Sequence, residues 1–277
     1  MRKTAVLSII IALAILAVGA TGCGTAEKTH TLVLERYGLT WVPKDAQGHL
    51  YMNVPLIQAD EYLGQSFREA NEDDEELRSL GIDISQMDQA VLAYGMDSGE
   101  ASVALGRFDF DYVREQLRGQ GLTGETYLDT EFWAGDLYSY AQGGVALFAN
   151  GLAWGDEEMV RSLVRVITGA EPSICDTADV EELSGRLPTW TPFVAMLSLD
   201  PAEDLGMLNA QAAAFVFAKE DEDSIRFAWA VEFNEPDEAT KWYDAIKGEE
   251  GIRASVATRF VSYEGTMTLE EFVSEFF

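Results

Sequence analysis

The feature that most constrains this fold is a repeated order of strand, tight turn, strand and helix. The first copy spans Gln89–Leu117, with a turn at 95–99 and a helix capped by Asp109. The second spans Ala213–Ile246, with an acidic turn at 220–223. Its second strand is apolar at every other position: Ile225, Phe227, Trp229, Val231 and Phe233. This period of two predicts strands that are half buried under helices, so the repeated unit is architecture and carries no chemistry.

The elements around each copy complete the order β-α-β-β-α-β, first over residues 50–130 and then over residues 193–263. This is the split βαβ, or ferredoxin-like, order. Residues 133–169 add two strands, joined at Gly143-Gly144, and a helix that follows Asp156. Thr268–Glu271 reads as a capping box for a C-terminal amphipathic helix. We therefore predict an α+β fold of two tandem ferredoxin-like units with antiparallel sheets, a β-β-α insertion between them and a C-terminal amphipathic helix.

The N-terminus predicts export and lipid anchoring. Arg2-Lys3 precedes a 16-residue apolar run, Ala5–Ala20, and small residues then lead to Cys23. The run is shorter than the roughly 20 residues that span a membrane, which favours a signal peptide over an uncleaved signal-anchor helix. The sequence around Cys23 resembles a bacterial lipobox, which implies lipid on the Cys23 sulfur. The chain is then held on the outer face of the cell membrane or of another envelope membrane.

The predicted organisation has five parts. A signal peptide at 1–22 is followed by a lipid-anchored tether at 23–35. A first α+β domain with its β-β-α extension covers 36–170, a linker covers 171–191, and a second α+β domain covers 192–277. The linker is predicted from Pro172, Pro188 and one short helix at 180–187.

Composition excludes several classes of function. The 48 acidic residues outnumber the 19 basic ones, so nucleic acid and anionic lipid head groups are poor partners. His30 and His49 lack the motifs of a nucleophilic site, and no zinc-binding spacing is present. The acidic runs at 72–76 and 220–223 lack the alternating spacing of a calcium loop. Once Cys23 is lipidated, Cys175 has no disulfide partner, and nearby carboxylates make it an inert thiol. We predict no cofactor, no metal and no catalytic residue.

Aromatic residues are the remaining candidates for a binding site. Several fall in or near the predicted insertion and linker, and five of them are candidates for lining a groove between the halves: Trp133, Tyr138, Tyr140, Trp154 and Trp190. The alternative is that they fill the space between two sheets.

Three stretches carry a family resemblance: Trp41–Ala46 with Tyr51, Gly106–Arg114, and Gly155–Val160. Over about residues 36–200 the chain resembles a family of uncharacterised exported bacterial and archaeal proteins, which are often lipid-anchored. The resemblance implies export and the order of elements, and it implies no catalytic residue.

Three functional hypotheses follow. The first is a membrane-tethered, non-enzymatic binding or scaffold protein of the cell envelope, with an envelope protein as its partner. The second is an envelope hydrolase that uses carboxylates in an interdomain cleft. The third is a carrier of a small apolar ligand in the interdomain groove.

Overall fold

The computed structural model describes residues 30–32, 36–71, 75–95, 99–137, 140–188, 190–201, 207, 209–248 and 251–276. The strands within them are β1 Gly48–Asn53, β2 Met87–Gly95, β3 Gly99–Gly106, β4 Thr123–Tyr127, β5 Thr130–Leu137, β6 Tyr140–Phe148, β7 Gly151–Asp156, β8 Val194–Ser198, β9 Ala210–Lys219, β10 Ser224–Phe233, β11 Arg253–Ala257 and β12 Phe260–Thr268. The helices are α1 Val54–Ala59, α2 Glu61–Asn71, α3 Glu75–Ser79, α4 Phe110–Gly119, α5 Glu157–Ile167, α6 Ala178–Gly185, α7 Pro236–Ile246 and α8 Leu269–Phe276. Short 3-10 helices cover Arg36–Trp41, Ile84–Gln86 and Ile174–Asp176.

All twelve strands form one sheet in the order β11-β12-β10-β9-β8-β1-β2-β3-β7-β6-β5-β4. Every neighbouring pair is antiparallel. The predicted α+β class with an antiparallel sheet is therefore confirmed.

The two tandem ferredoxin-like units are not confirmed, because the strand order differs. A split βαβ unit needs two parallel strands with a third strand between them. Here β1 and β2 are hydrogen-bonded neighbours and run antiparallel, and β8 and β9 do the same. The helical segment between β1 and β2 thus returns the chain beside the strand it left.

The two halves nevertheless share one path. In the first half the chain forms β1, β2 and β3 side by side, crosses through α4 to the edge strand β4, and returns through β5 and β6 to β7 beside β3. In the second half it forms β8, β9 and β10, crosses through α7 to the edge strand β11, and returns as β12 beside β10. Strands β1 and β8 pair at the centre, with Leu50 opposite Met196. The repeated sequence unit therefore occupies equivalent places, and the boundary predicted at 171–191 separates two halves of one sheet.

Two predicted strands are hairpins. The last strand of the first predicted β-α-β-β-α-β order, near residue 130, is the hairpin of β4 and β5, whose turn places Leu128 and Asp129 at positive φ. The last strand of the second predicted order, near residue 263, is the hairpin of β11 and β12, with Thr258 at φ 54. Two consecutive residues at positive φ are typical of a type I′ hairpin, which usually contains Asn or Gly. Leu-Asp carries no such signal, so this turn was missed.

Gly143-Gly144 was predicted as a turn, and this prediction was wrong. Both residues lie inside β6, where Gly143 pairs with Gly135 and Asp156. A Cβ at Gly143 would lie 1.9 Å from Leu137 Cδ1, and one at Gly144 would lie 2.8 Å from Phe132 Cζ. Close packing, and not a turn, requires these glycines.

The helix caps agree with the sequence with one exception. Asp109 accepts hydrogen bonds from the backbone N–H groups of Asp111 and Tyr112, as expected of an N-cap. Thr268 and Glu271 form the reciprocal capping box at the start of α8. The exception is α7, where Glu235 precedes the helix without a side-chain capping hydrogen bond and Pro236 takes the first helical position.

The sheet is buried on both faces. On face A, helices α4, α7 and α8 pack through Val113, Ala239 and Phe272 against strand residues that include Phe215 and Phe217. On face B, helices α5 and α6 pack through Leu163 and Leu183, together with the 3-10 segment 36–41. Alternate residues of one strand therefore enter different clusters, as in β9, where Phe215 faces A and Val216 faces B.

Candidate functional site

The chain enters the fold at the turn between β6 and β7. The Leu32 backbone N–H donates to Asn150 Oδ1 at 2.7 Å, and Asn150 Nδ2 donates to the Leu32 carbonyl at 3.0 Å. The Ala149 N–H also donates to the His30 carbonyl at 2.8 Å. The Leu32 side chain is 3% exposed and belongs to the face B core. The start of the described chain is thus held by three hydrogen bonds to its own backbone, two of them with the Asn150 side chain, and by one buried side chain.

Cys23, the predicted lipid attachment residue, lies outside the described residues, as do residues 1–22. Within the described part of the chain, no helix combines the length and hydropathy needed to cross a membrane.

The five predicted groove residues do not form one lined surface. Trp133 and Trp154 are 2% and 6% exposed and belong to the face A core. Trp190 packs against the face B cluster, beneath the guanidinium of Arg226 at 4.5 Å. Tyr138 lies outside the described residues, and Tyr140 begins β6 without a described side chain. The described tryptophans are thus divided between the two sides of the sheet.

Trp133 is held by a charged pair that the sequence did not suggest. Its Nε1 donates to Glu131 Oε1 at 3.0 Å, and Glu131 accepts from Arg114 Nη2 at 2.8 Å. The Glu131 side chain is 8% exposed, and its hydrogen bonds raise the pKa of Arg114. The Arg118 guanidinium lies 5.5 Å from the Trp133 ring. These contacts hold α4 against β5, and the Glu131 carboxylate serves a structural role in them.

A second buried carboxylate, Glu232 in β10, forms an ion pair with Arg259 of the β11–β12 turn. Glu232 is fully buried. The acidic turn at 220–223 is internally bonded, since the Asp223 backbone N–H donates to Asp221 Oδ1 at 3.0 Å, and Lys219 Nζ donates to the Glu222 carbonyl at 2.8 Å. No group of histidine, cysteine or carboxylate side chains among the described residues is placed to hold a metal ion.

His49 is buried at the centre of the sheet, which its place near a strand start did not predict. It is 2% exposed and pairs with Ala93 and Leu197 on the flanking strands. Its Nε2 lies 3.2 Å from the carbonyl oxygen of Tyr37, a residue at φ 57. Burial lowers the pKa of His49 to about 4, so the ring is neutral at pH 7. It fastens the 3-10 segment 36–41 to β1.

A shallow cavity of about 290 Å³ lies at the end of the sheet that carries β11. Arg186, Leu187 and Pro188 form one wall, and Ala228 lies in its floor. The strands β11 and β12 line it with polar residues that include Arg253, Ser255, Ser262 and Glu264. The sequence did not indicate this cavity, because its lining residues come from segments as far apart as 186–188 and 253–264.

The comparisons with known proteins show a similarity of fold only. No family model matches the chain, and no curated protein matches it. Two solved structures, crystal forms I and III of TP0453, are similar with TM-scores of 0.54 and 0.53 at 12% sequence identity. The alignments cover 88% and 85% of this chain and 96% of the TP0453 chain in each case. At 12% identity this similarity shows a shared overall architecture, which covers 85–88% of this chain.

Proposed function

We propose that this protein is an exported lipoprotein that is held to an envelope membrane by lipid on Cys23 and that binds a partner without catalysis. The observation that carries the proposal is the order of the N-terminal sequence: two basic residues, an apolar run too short for a span, and a cysteine after small residues. Two acyl chains with an acylated N-terminus anchor a protein stably, whereas one chain alone is marginal.

The docked start of the fold supports a short tether. Seven residues, 23–29, precede His30, whose carbonyl is bonded to Ala149. At about 3.6 Å per extended residue they reach at most about 25 Å. The β6–β7 turn would therefore lie close to the membrane surface, with the rest of the sheet extending away from it.

The use of buried charges supports a binding role over a hydrolytic one. A carboxylate pair in a hydrolase must face a substrate, and its acid needs room for a water or a leaving group. Glu131 and Glu232 instead form ion pairs with Arg114 and Arg259, which join elements of the fold. We therefore expect partner recognition to depend on the surface of the sheet and its helices.

The anchor is tested by Cys23→Ala in the full chain, expressed in a bacterial host supplied with radiolabelled palmitate. We expect the natural chain to take up label, to sediment with membranes and to lack residues 1–22, and the variant to take up no label. Cys175→Ala is the matched control, because it removes the other cysteine and should leave labelling unchanged. A natural chain that takes up no label and keeps residues 1–22 by mass spectrometry would instead identify a signal-anchor helix and refute the lipoprotein.

A further inference from the structure

Both edge strands of the sheet carry exposed side chains, and the two edges differ in charge. On β4 the exposed positions are 123, 125 and 126, and the carboxylate of Glu125 pairs with Arg161 of α5. On the opposite edge strand, β11, the exposed positions are 253, 255, 256 and 257, and the charged residue among them is Arg253. An uncovered edge presents unpaired backbone N–H and C=O groups and can accept another strand.

The two sides of β11 would present different surfaces to an added strand. Its register with β12 pairs Arg253 with Glu264 and Ser255 with Ser262, which line the cavity. The residues between them, Ala254 and Val256, pair with Tyr263 and Val261 of face A. Because side chains opposite one another in a sheet are in contact, an added strand would place alternate residues beside these two sets.

We propose that the edge of β11 binds an extended, acidic segment of a partner protein by strand addition. In this arrangement the backbone of the segment pairs with β11. Acidic side chains lie on the side of Arg253 and the cavity, and apolar side chains cover Ala254 and Val256. The inference rests on the proposed binding function and names the class of partner.

Charge at this edge favours an acidic segment. Residues 251–263 contain two arginines and no carboxylate, in a chain of net charge −29. The glutamates at 249 and 250 lie outside the described residues. The side chain of Arg253 is 86% exposed, and its contact with Glu264 is 3.3 Å long. Such an exposed pair holds its arginine weakly, so Arg253 is available to a second carboxylate.

A second arginine faces the same cavity from the opposite wall. Arg186 lies 4.3 Å over the Phe260 ring, and its Nη2 contacts Glu182 at 2.6 Å. Its Nε is buried without a hydrogen-bond partner among the described residues. An acidic side chain entering the cavity meets arginines from both walls. Carboxylates elsewhere on the protein repel an acidic segment only at short range, because charges are screened beyond about 8 Å at physiological salt.

The direct test is binding of a fluorescein-labelled nine-residue peptide that alternates Val and Glu, measured by anisotropy with the purified full chain. We expect saturable binding that weakens with added salt, and none by the matched peptide that carries Lys for Glu. Arg253→Glu should weaken binding by about tenfold or more. Arg68→Glu, the same change at an exposed position on α2, should leave affinity within about twofold.

Hydrogen exchange measured by mass spectrometry locates the peptide. Strand addition should slow exchange of the amides in 253–257 and leave those of β4, at 123–127, unchanged. Absence of binding at millimolar peptide, or protection elsewhere, overturns the proposal. Protection of β11 without peptide, together with a dimer in sedimentation, would make the occupant a second copy and also overturn it. None of these measurements depends on lipid at Cys23, so the anchor and the edge can fail independently.

Discussion

At the scale of single residues, polar side chains hold together segments that belong to different elements. Asn150 holds the backbone of Leu32, Glu131 joins α4 to β5 through Arg114, and His49 holds the carbonyl of Tyr37. Glu131 and His49 are buried, so leaving either group unpaired would cost free energy, since its hydration is lost on folding. Each therefore specifies one position for its segment.

His49 makes stability depend on pH in a defined range. Its pKa is about 4 in the folded protein against 6.5 as the ordinary value, so the unfolded chain binds more protons between these limits. The contribution of the neutral ring is complete above pH 6.5 and is lost as the pH falls towards 4, at up to about 1.4 kcal/mol per pH unit.

We expect His49→Gln to flatten this dependence. Urea unfolding at intervals from pH 7 to pH 4 should give a smaller fall in the free energy of unfolding for the variant than for the natural chain. His30→Gln is the control, because that histidine is not buried. Parallel profiles for His49→Gln and the natural chain would mean that His49 does not titrate in this way.

At the scale of elements, the backbone of β6, which lies between β5 and β7, packs closely against neighbouring side chains. Gly143 lies in β6 opposite Gly135, and the Leu137 side chain fills the space beside it. Leu137 is 5% exposed and belongs to the face A core. A side chain at 143 must displace this leucine.

Gly143→Ala should therefore lower the free energy of unfolding by about 1–3 kcal/mol. Gly119→Ala is the matched control, because a Cβ there meets nothing within 4 Å and alanine favours the helix. The double variant Gly143→Ala with Leu137→Ala tests the cause. If the clash is the reason, the combined loss in thermal unfolding should be smaller than the sum of the single losses; simple additivity would rule it out.

At the scale of the whole molecule, the pairing of β1 with β8 joins the halves into one sheet. Both core clusters also contain residues from each half, such as Leu117 with Phe217 on face A and Leu163 with Ala214 on face B. Unfolding one half would expose the central strand of the other to water. The halves should accordingly depend on each other for stability.

We expect urea unfolding in one transition, with the same midpoint by far-ultraviolet circular dichroism and by tryptophan fluorescence. Ala195→Asp should shift both signals together to lower urea, because it buries a charge at a β8 position that is 2% exposed. Thr126→Asp on the exposed edge strand β4 is the control. Two separated transitions would mean that the halves are independent domains.

The sequence by itself determined the type of most elements and several of their caps. Local periodicity and capping chemistry act over a few residues, which is why the β10 alternation, Asp109 and the Thr268–Glu271 box were predicted correctly. The sequence also supplies the argument for the lipid anchor, which stays a prediction because Cys23 lies outside the described residues.

Only the tertiary structure decided which strands pair and what becomes buried. The pairing of β1 with both β2 and β8, the burial of His49 and the division of the tryptophans between two faces depend on contacts between segments that are distant in sequence, as between Leu50 and Met196. Local pattern carries no record of such partners. The repeated unit predicted a sheet covered by helices, but the continuity of that sheet through its two central strands follows from the antiparallel edges that each half leaves open.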